Sequence, residues 1–201
     1  MTDNTGGEHH DRGRDTRARL RELALQLFAE QGYEKTSLRE IAEHLGVTKA
    51  ALYYYFKSKE DIVRSLVEDY MAEMDELIEW GKAQPMSAAT RAEIVRRYLG
   101  IVAGGAEVFR MLQQNQAAVA SLASAKERGA LFRERLDALI ELLTGPGATL
   151  RDQVRAASAL MSVNFGCLRY QNQVSSQQEL EQVLLDVAME LVGVAPADTR
   201  A

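Results

Sequence analysis

The sequence predicts an all-α chain of about nine helices in two parts, a three-helix unit at the N-terminus and a larger helical domain behind it. Three observations carry that expectation. Apolar residues recur at i, i+3, i+4 and i+7 in segment after segment, as in Leu20, Leu23, Ala24, Leu27 and Phe28. Helix-start signatures, a serine or threonine followed three residues later by an acid, occur at Ser37–Glu40, Ser58–Asp61, Thr90–Glu93 and Ser176–Glu179. Breaks fall at Gly32, at Gly46, at Gly81–Ser87 with Pro85, and at Thr144–Gly147.

Residues 1–15 have no apolar anchor and are expected to be a disordered tail. The adjacent His9 and His10 within it read as solvated side chains, not metal ligands. The first helix runs from about Thr16 to Gln31 and ends at Gly32. Ser37 opens a second, short helix whose stripe is Leu38, Ile41, Ala42 and Leu45. Gly46 closes it and Val47 plugs the turn. Thr48 caps a third helix, Lys49 to Phe56, with Leu52 and Phe56 facing inward. Two short helices joined by a glycine turn make a helix-turn-helix.

The outward side of the third helix carries Lys49, Ala50, Tyr53 and Tyr54. A cation, a small residue that permits close approach, and phenolic hydroxyls suit a DNA groove and its phosphates. The same residues also fit a helical hairpin whose tyrosines cap a core. The continuation, TyrTyrTyrPheLysSerLysGluAsp, together with IleAla, GlyVal and the Thr48–Lys49 pair, resembles the DNA-binding domain of the TetR family of bacterial repressors. The match runs from about Thr16 to Val63 without a gap; the remaining two-thirds resembles the family only in length and helical layout. The resemblance implies Thr48, Lys49, Tyr53, Tyr54 and Lys59 as phosphate contacts, Ala50 as the residue approaching bases, and Arg39 as a further groove contact. Family proteins often have glycine where Ala50 stands, so this chain departs from the pattern at its base-contact position. The resemblance also places Tyr33 on the edge of the unit. Arg12, Arg14, Arg17, Arg19 and Arg21 form either a solvated face or an arm along the DNA backbone, as such arms do in the family.

Ser58 starts a fourth helix that continues to about Trp80, with Ile62, Leu66, Tyr70 and Met74 repeating every four residues. It contains neither glycine nor proline and suits a lever between two domains. Thr90 opens a fifth helix that is expected to end at Gly104–Gly105. A sixth covers about Glu107 to Asn115; Gln116 to Ser124 has no decisive period. A seventh spans Lys126 to Leu143, an eighth Thr149 to about Asn172, and a ninth, capped by Ser176, reaches about Val192.

The last two helices are apolar around most of their circumference, so each must be covered on more than one side. Burial at the centre of a single chain satisfies this, and so does a second copy. A helix-turn-helix that reads a palindrome needs two copies, which favours a homodimer seam containing Ala156, Cys167, Leu184, Val187 and Leu191. In a layout like that of the family, Tyr98, Val102, Phe109, Leu112, Met161, Phe165 and Leu168 converge with Asn164 close by. They form either ordinary core or an apolar cavity with a few polar groups, the usual small-molecule site.

Composition bounds the rest. At 201 residues, with 46% hydrophobic and 26% charged residues, the chain has room for one domain or two small ones. Its net charge of −5 is unevenly placed: residues 1–60 hold 10 Lys/Arg and 10 Asp/Glu, residues 61–201 hold 14 and 19. The acidic surplus belongs to the C-terminal part and leaves a local basic surface at the N-terminus open. The single cysteine excludes an internal disulfide framework, and no signal peptide or membrane-length apolar run is present, so a cytoplasmic protein is expected. Nucleophile, zinc and phosphate-loop motifs are missing, so no catalytic residue, cofactor or metal is expected. The reading is of a ligand-responsive regulator, most often a repressor, with residues 16–57 binding operator DNA and residues 58–201 binding an effector and dimerising. The competing class is a constitutive or architectural DNA-binding protein whose large domain only dimerises.

Overall fold

Apolar stripes and caps do produce helices here, and only helices: the computed structural model, which describes residues 6–114, 125–170, 173, 174 and 176–193, contains eight α-helices and no strand among them. They are α1 Gly6–Gln31, α2 Leu38–Leu45, α3 Lys49–Tyr55, α4 Lys59–Lys82, α5 Ala88–Gln114, α6 Ala125–Thr144, α7 Leu150–Tyr170 and α8 Gln177–Leu191.

Two compact units divide the chain. The first holds α1 to α3, α4 as far as Glu68, and Glu107–Gln114 of α5. Its core is made of Leu20, Ala24, Leu27, Phe28, Tyr33, Ile41, Ala42, Leu52, Phe56, Ile62, Val63 and Met111. Ile62 and Val63 bury against this core, so the first unit continues well into α4 instead of stopping at the α3–α4 turn. The second holds α4 from Asp69, α5 as far as Ala106, and α6 to α8. Its buried residues include Tyr70, Met74, Ile78, Ile94, Tyr98, Leu139, Leu160 and Val163.

Three expectations need correction. Helix α1 begins at Gly6, ten residues before the expected start, so residues 6–15 are helical and not a disordered tail. Once Leu20–Phe28 is packed, adding turns upstream is propagation and avoids the cost of nucleation; no proline stands in the way. Residues 1–5 lie outside the described residues. The expected fifth and sixth helices are one, α5, running straight through Gly104–Gly105. Neither glycine has a positive φ. Mid-helix glycine costs about 1 kcal/mol relative to alanine, which weakens a helix without ending it. The hydroxyl that caps α5 is Ser87, whose Oγ accepts from the Thr90 amide at 3.0 Å, while Thr90 donates its own hydroxyl to the Pro85 carbonyl. Gln116–Ser124 lies outside the described residues.

In the second unit α7 packs on α6 and on α8. The face of α7 that does so is Ala156, Ala159, Leu160, Val163, Gly166 and Cys167. Gly166 is the point of closest approach: a Cβ built there collides with a methyl of Leu184 and lies 3.1 Å from its Cγ.

Candidate nucleic-acid interface

The helix-turn-helix is held by its caps. Ser37 accepts from the Glu40 amide at 3.2 Å and the Glu40 carboxylate accepts from the Ser37 amide, a complete capping box. Gly46 sits at φ 72°, a left-handed conformation that glycine adopts without strain, and its turn carries the chain directly into α3. Thr48 caps α3 by accepting from the Ala51 amide at 3.1 Å. Leu52 is fully buried and Phe56 nearly so, which fixes the roll of α3.

With that roll fixed, Thr48, Lys49, Ala50, Tyr53 and Tyr54 all point to solvent, Tyr54 with 78% of its surface exposed. The Lys49 ammonium lies 5.5 Å from the Tyr53 ring centroid. Tyr54 and Tyr55 meet edge to face at 5.2 Å. Arg39 is exposed on α2, its Nε donating to Glu43 at 2.6 Å. One short face thus presents a hydroxyl cap, an ammonium, a methyl and two phenols, with nothing bulky at Ala50 to keep a groove away.

Lys59 behaves differently. Its Nζ donates to the Tyr33 carbonyl at 2.6 Å and stands 4.3 Å from the centroid of the Tyr33 ring. Tyr33 is not at the edge of the unit: it is 2% exposed, packed edge-on against Phe28 at 5.0 Å, with its hydroxyl donating to Glu60 at 2.9 Å. Burial first, then that bond and the carboxylate's charge, push the Tyr33 phenol well above its ordinary pKa. Lys57, which the sequence reading did not single out, donates from Nζ to the Tyr53 carbonyl at 2.8 Å, and its amide donates to Asp61 at 3.1 Å. Of the upstream arginines, Arg17 lies over the Phe56 ring at 5.2 Å and Arg19 is exposed. Burial, then neighbouring Arg17, lowers the pKa of Arg21.

The residues expected at an effector site divide. Tyr98 is fully buried and its hydroxyl accepts from the Asn164 amide, which also donates to the Leu160 carbonyl at 3.0 Å. Desolvation raises the Tyr98 phenol above its usual pKa. Val102 is buried and Leu168 half-buried. Phe109 is half-buried in the last part of α5, and Leu112 packs on the core of the first unit. Met161 and Phe165 were expected inside but are 45% and 62% exposed. The residues expected at a dimer seam divide the other way. Ala156, Cys167 and Leu184 are buried within the chain, Leu191 is half-buried and Val187 is 41% exposed. Leu150, Val154, Met161 and Phe165 fall on one line along α7, opposite its buried face, and α8 adds Val183 and Val187. Both divisions have one cause: a helix apolar all round does not say which side its own chain covers. No group of three or more His, Cys, Asp or Glu able to hold a metal ion occurs among the described residues, and no described helix is long and apolar enough to cross a membrane.

Comparison with known proteins agrees with the geometry. Residues 20–66 match the family described as bacterial regulatory proteins, tetR family. The chain is 44% identical over 54 residues to the HTH-type transcriptional regulator AcrR of Shigella flexneri, covering 27% of this chain and 25% of that protein. It is 31% identical over 84 residues to the fatty acid metabolism regulator protein of Bacillus subtilis, covering 41% and 43%. These matches span between a quarter and about two fifths of the relatives' own lengths. The fold is similar along nearly the whole chain to the TetR family transcriptional regulator PfmR from Thermus thermophilus, with a TM-score of 0.67 at 22% identity over 89% of this chain and all of that one.

Proposed function

We propose that this chain, whose N-terminal domain is that of the TetR family, is a transcriptional repressor that binds palindromic operator DNA as a homodimer and is released by a small, largely apolar molecule. The observation that carries the reading is the solvent-facing surface of α3, where Lys49, Ala50, Tyr53 and Tyr54 stand clear of a core that fixes their direction. Phosphate contacts from such residues set register, and the small residue admits the helix to the groove. The apolar line of α7 with Val183 and Val187 supports self-association, because a two-fold seam is where such a line is covered. An effector site is supported more narrowly, by the buried Tyr98 hydroxyl and the half-buried Asn164 amide that meets it, with the apolar Val102 and Leu160 also buried in that unit.

The test has two steps. Full-length protein is used to select duplexes from a randomised pool; a recovered consensus with two-fold symmetry and half-sites about one helical turn apart, ~34–36 Å, is expected. Calorimetry with candidate effectors follows, beginning with long-chain carboxylates because one relative is named a fatty acid metabolism regulator. Release by a ligand requires differential affinity, and a hundredfold preference for the DNA-free form corresponds to ~2.7 kcal/mol of coupling. Saturating operator must then weaken that ligand by the same factor. Equal affinities in both titrations would reject an effector role for it.

A further inference from the structure

We propose that Lys59 is a positioning residue: with Tyr33 and Glu60 it forms a clasp that fixes the start of α4 to the α1–α2 turn and so sets the direction of α3, in place of the phosphate contact its sequence position implies. This rests on the DNA-binding reading and concerns how that surface is held.

Two successive residues in the first turn of α4 grip one buried residue, Lys59 at its backbone and ring face and Glu60 at its hydroxyl. Lys59 donates to the Tyr33 backbone carbonyl and covers the ring face; Glu60 accepts from the phenol. The carbonyl it takes belongs to the residue after Gly32, where the chain has left α1 at φ 94°. An ammonium donating to a half-buried carbonyl and lying on an aromatic face is held by two charge-assisted attractions. Swinging out to a phosphate forfeits both. The same first turn also reaches α3: Asp61 accepts from the Lys57 amide, and Lys57 donates to the Tyr53 carbonyl at the end of the recognition helix. A continuous polar path therefore runs from the α1–α2 turn through the start of α4 to the end of α3. Only Phe56, Lys57 and Ser58 separate α3 from α4, so freeing the α4 start lets α3 reorient.

A lysine carries three N–H groups, so a direct measurement must separate positioning from phosphate binding. Operator affinity of the full-length protein is measured by fluorescence anisotropy across a salt series, on the selected duplex. The variants are Lys49→Ala, Lys59→Met, Tyr33→Phe and the Lys59→Met/Tyr33→Phe pair. A phosphate contact releases roughly 0.9 counterion and its loss flattens the salt slope by that amount, the result expected for Lys49→Ala. Lys59→Met is expected to weaken binding roughly tenfold at every salt concentration with the slope of the wild type, the loss of one charge-assisted hydrogen bond. Tyr33→Phe is expected to weaken binding as well, and the double variant to lose less than the product of the two singles. A slope reduced by about one ion in Lys59→Met, unchanged affinity, or multiplicative losses would each overturn the clasp. Should Lys59→Met fail to fold by circular dichroism, Tyr33→Phe, which loses only a hydroxyl, decides by its affinity alone, and wild-type affinity overturns the proposal. A wild-type protein that selects no duplex overturns the DNA-binding reading itself, and the clasp with it.

Discussion

At the scale of single residues, the proposed DNA-binding surface rests most on the exposed Lys49 and Tyr54. Lys49→Ala should weaken binding to all duplexes alike and flatten the salt slope by about 0.9 ion, because the contact proposed for it is to a phosphate and would carry no sequence information. Tyr54→Phe should cost about 1 kcal/mol, some fivefold in affinity, by removing one hydroxyl donor. Gel-shift or anisotropy titration of both variants checks this, and wild-type affinity in both would remove α3 from the interface. These side chains were legible in the sequence because Leu52 and Phe56 at i and i+4 fix the inward face and leave the rest outside. Lys59 was not legible. Its partner is a backbone carbonyl 26 residues earlier, and no local spacing announces such a contact. Tyr33 was misplaced for a related reason: a tyrosine just past a terminal glycine can turn in or out, and Glu60 decides the matter by accepting its hydroxyl.

Helices were legible where caps and periodicity agreed, as in α2 and α3, whose capping residues are those the sequence indicates. Glycine was the ambiguous letter. Gly46 and Gly32 do end helices, with φ of 72° and 94°, whereas Gly104 and Gly105 lie inside α5 with helical backbone. The difference yields a prediction. A Cβ at Gly104 meets nothing within 4 Å, so Gly104→Ala should stabilise the protein by about 0.5–1 kcal/mol, through reduced freedom of the unfolded chain. A thermal melt should rise by about 2–4 °C per kcal/mol for a chain of this size, and a fall would mean that the helix is broken there. Gly166→Ala should act in the opposite sense. Its new methyl meets Leu184 where α7 and α8 approach, and overpacking of this kind costs about 1–3 kcal/mol. The same melt reads it, and an unshifted midpoint would mean that Leu184 simply rotates aside.

For the whole molecule, the question is which apolar surface would join two copies in the proposed homodimer. Sequence alone could not answer, because α7 and α8 are apolar on the face their own chain covers and again on the face it leaves open. The buried line Ala156, Leu160, Val163 and Cys167 is satisfied internally; the open line Val154, Met161 and Phe165, with Val183 and Val187 on α8, is not. The two lines make opposite predictions for the same chemical change. Phe165→Glu places a carboxylate on a side chain that is 62% exposed in the single chain, so the monomer should keep its helical spectrum and melting temperature. At a two-fold seam the charge is buried on both copies, and an unpaired buried charge costs several kcal/mol. Sedimentation should then find a monomer of 22.3 kDa, and operator binding should drop to the affinity of a single half-site. Leu184→Glu puts the same charge into the contact between α7 and α8, where Leu184 is 7% exposed. That variant should lose folding stability at any protein concentration, before assembly is tested at all. If Phe165→Glu instead remains dimeric and binds operator as the wild type does, the open line of α7 is not the seam, and the two copies must meet elsewhere.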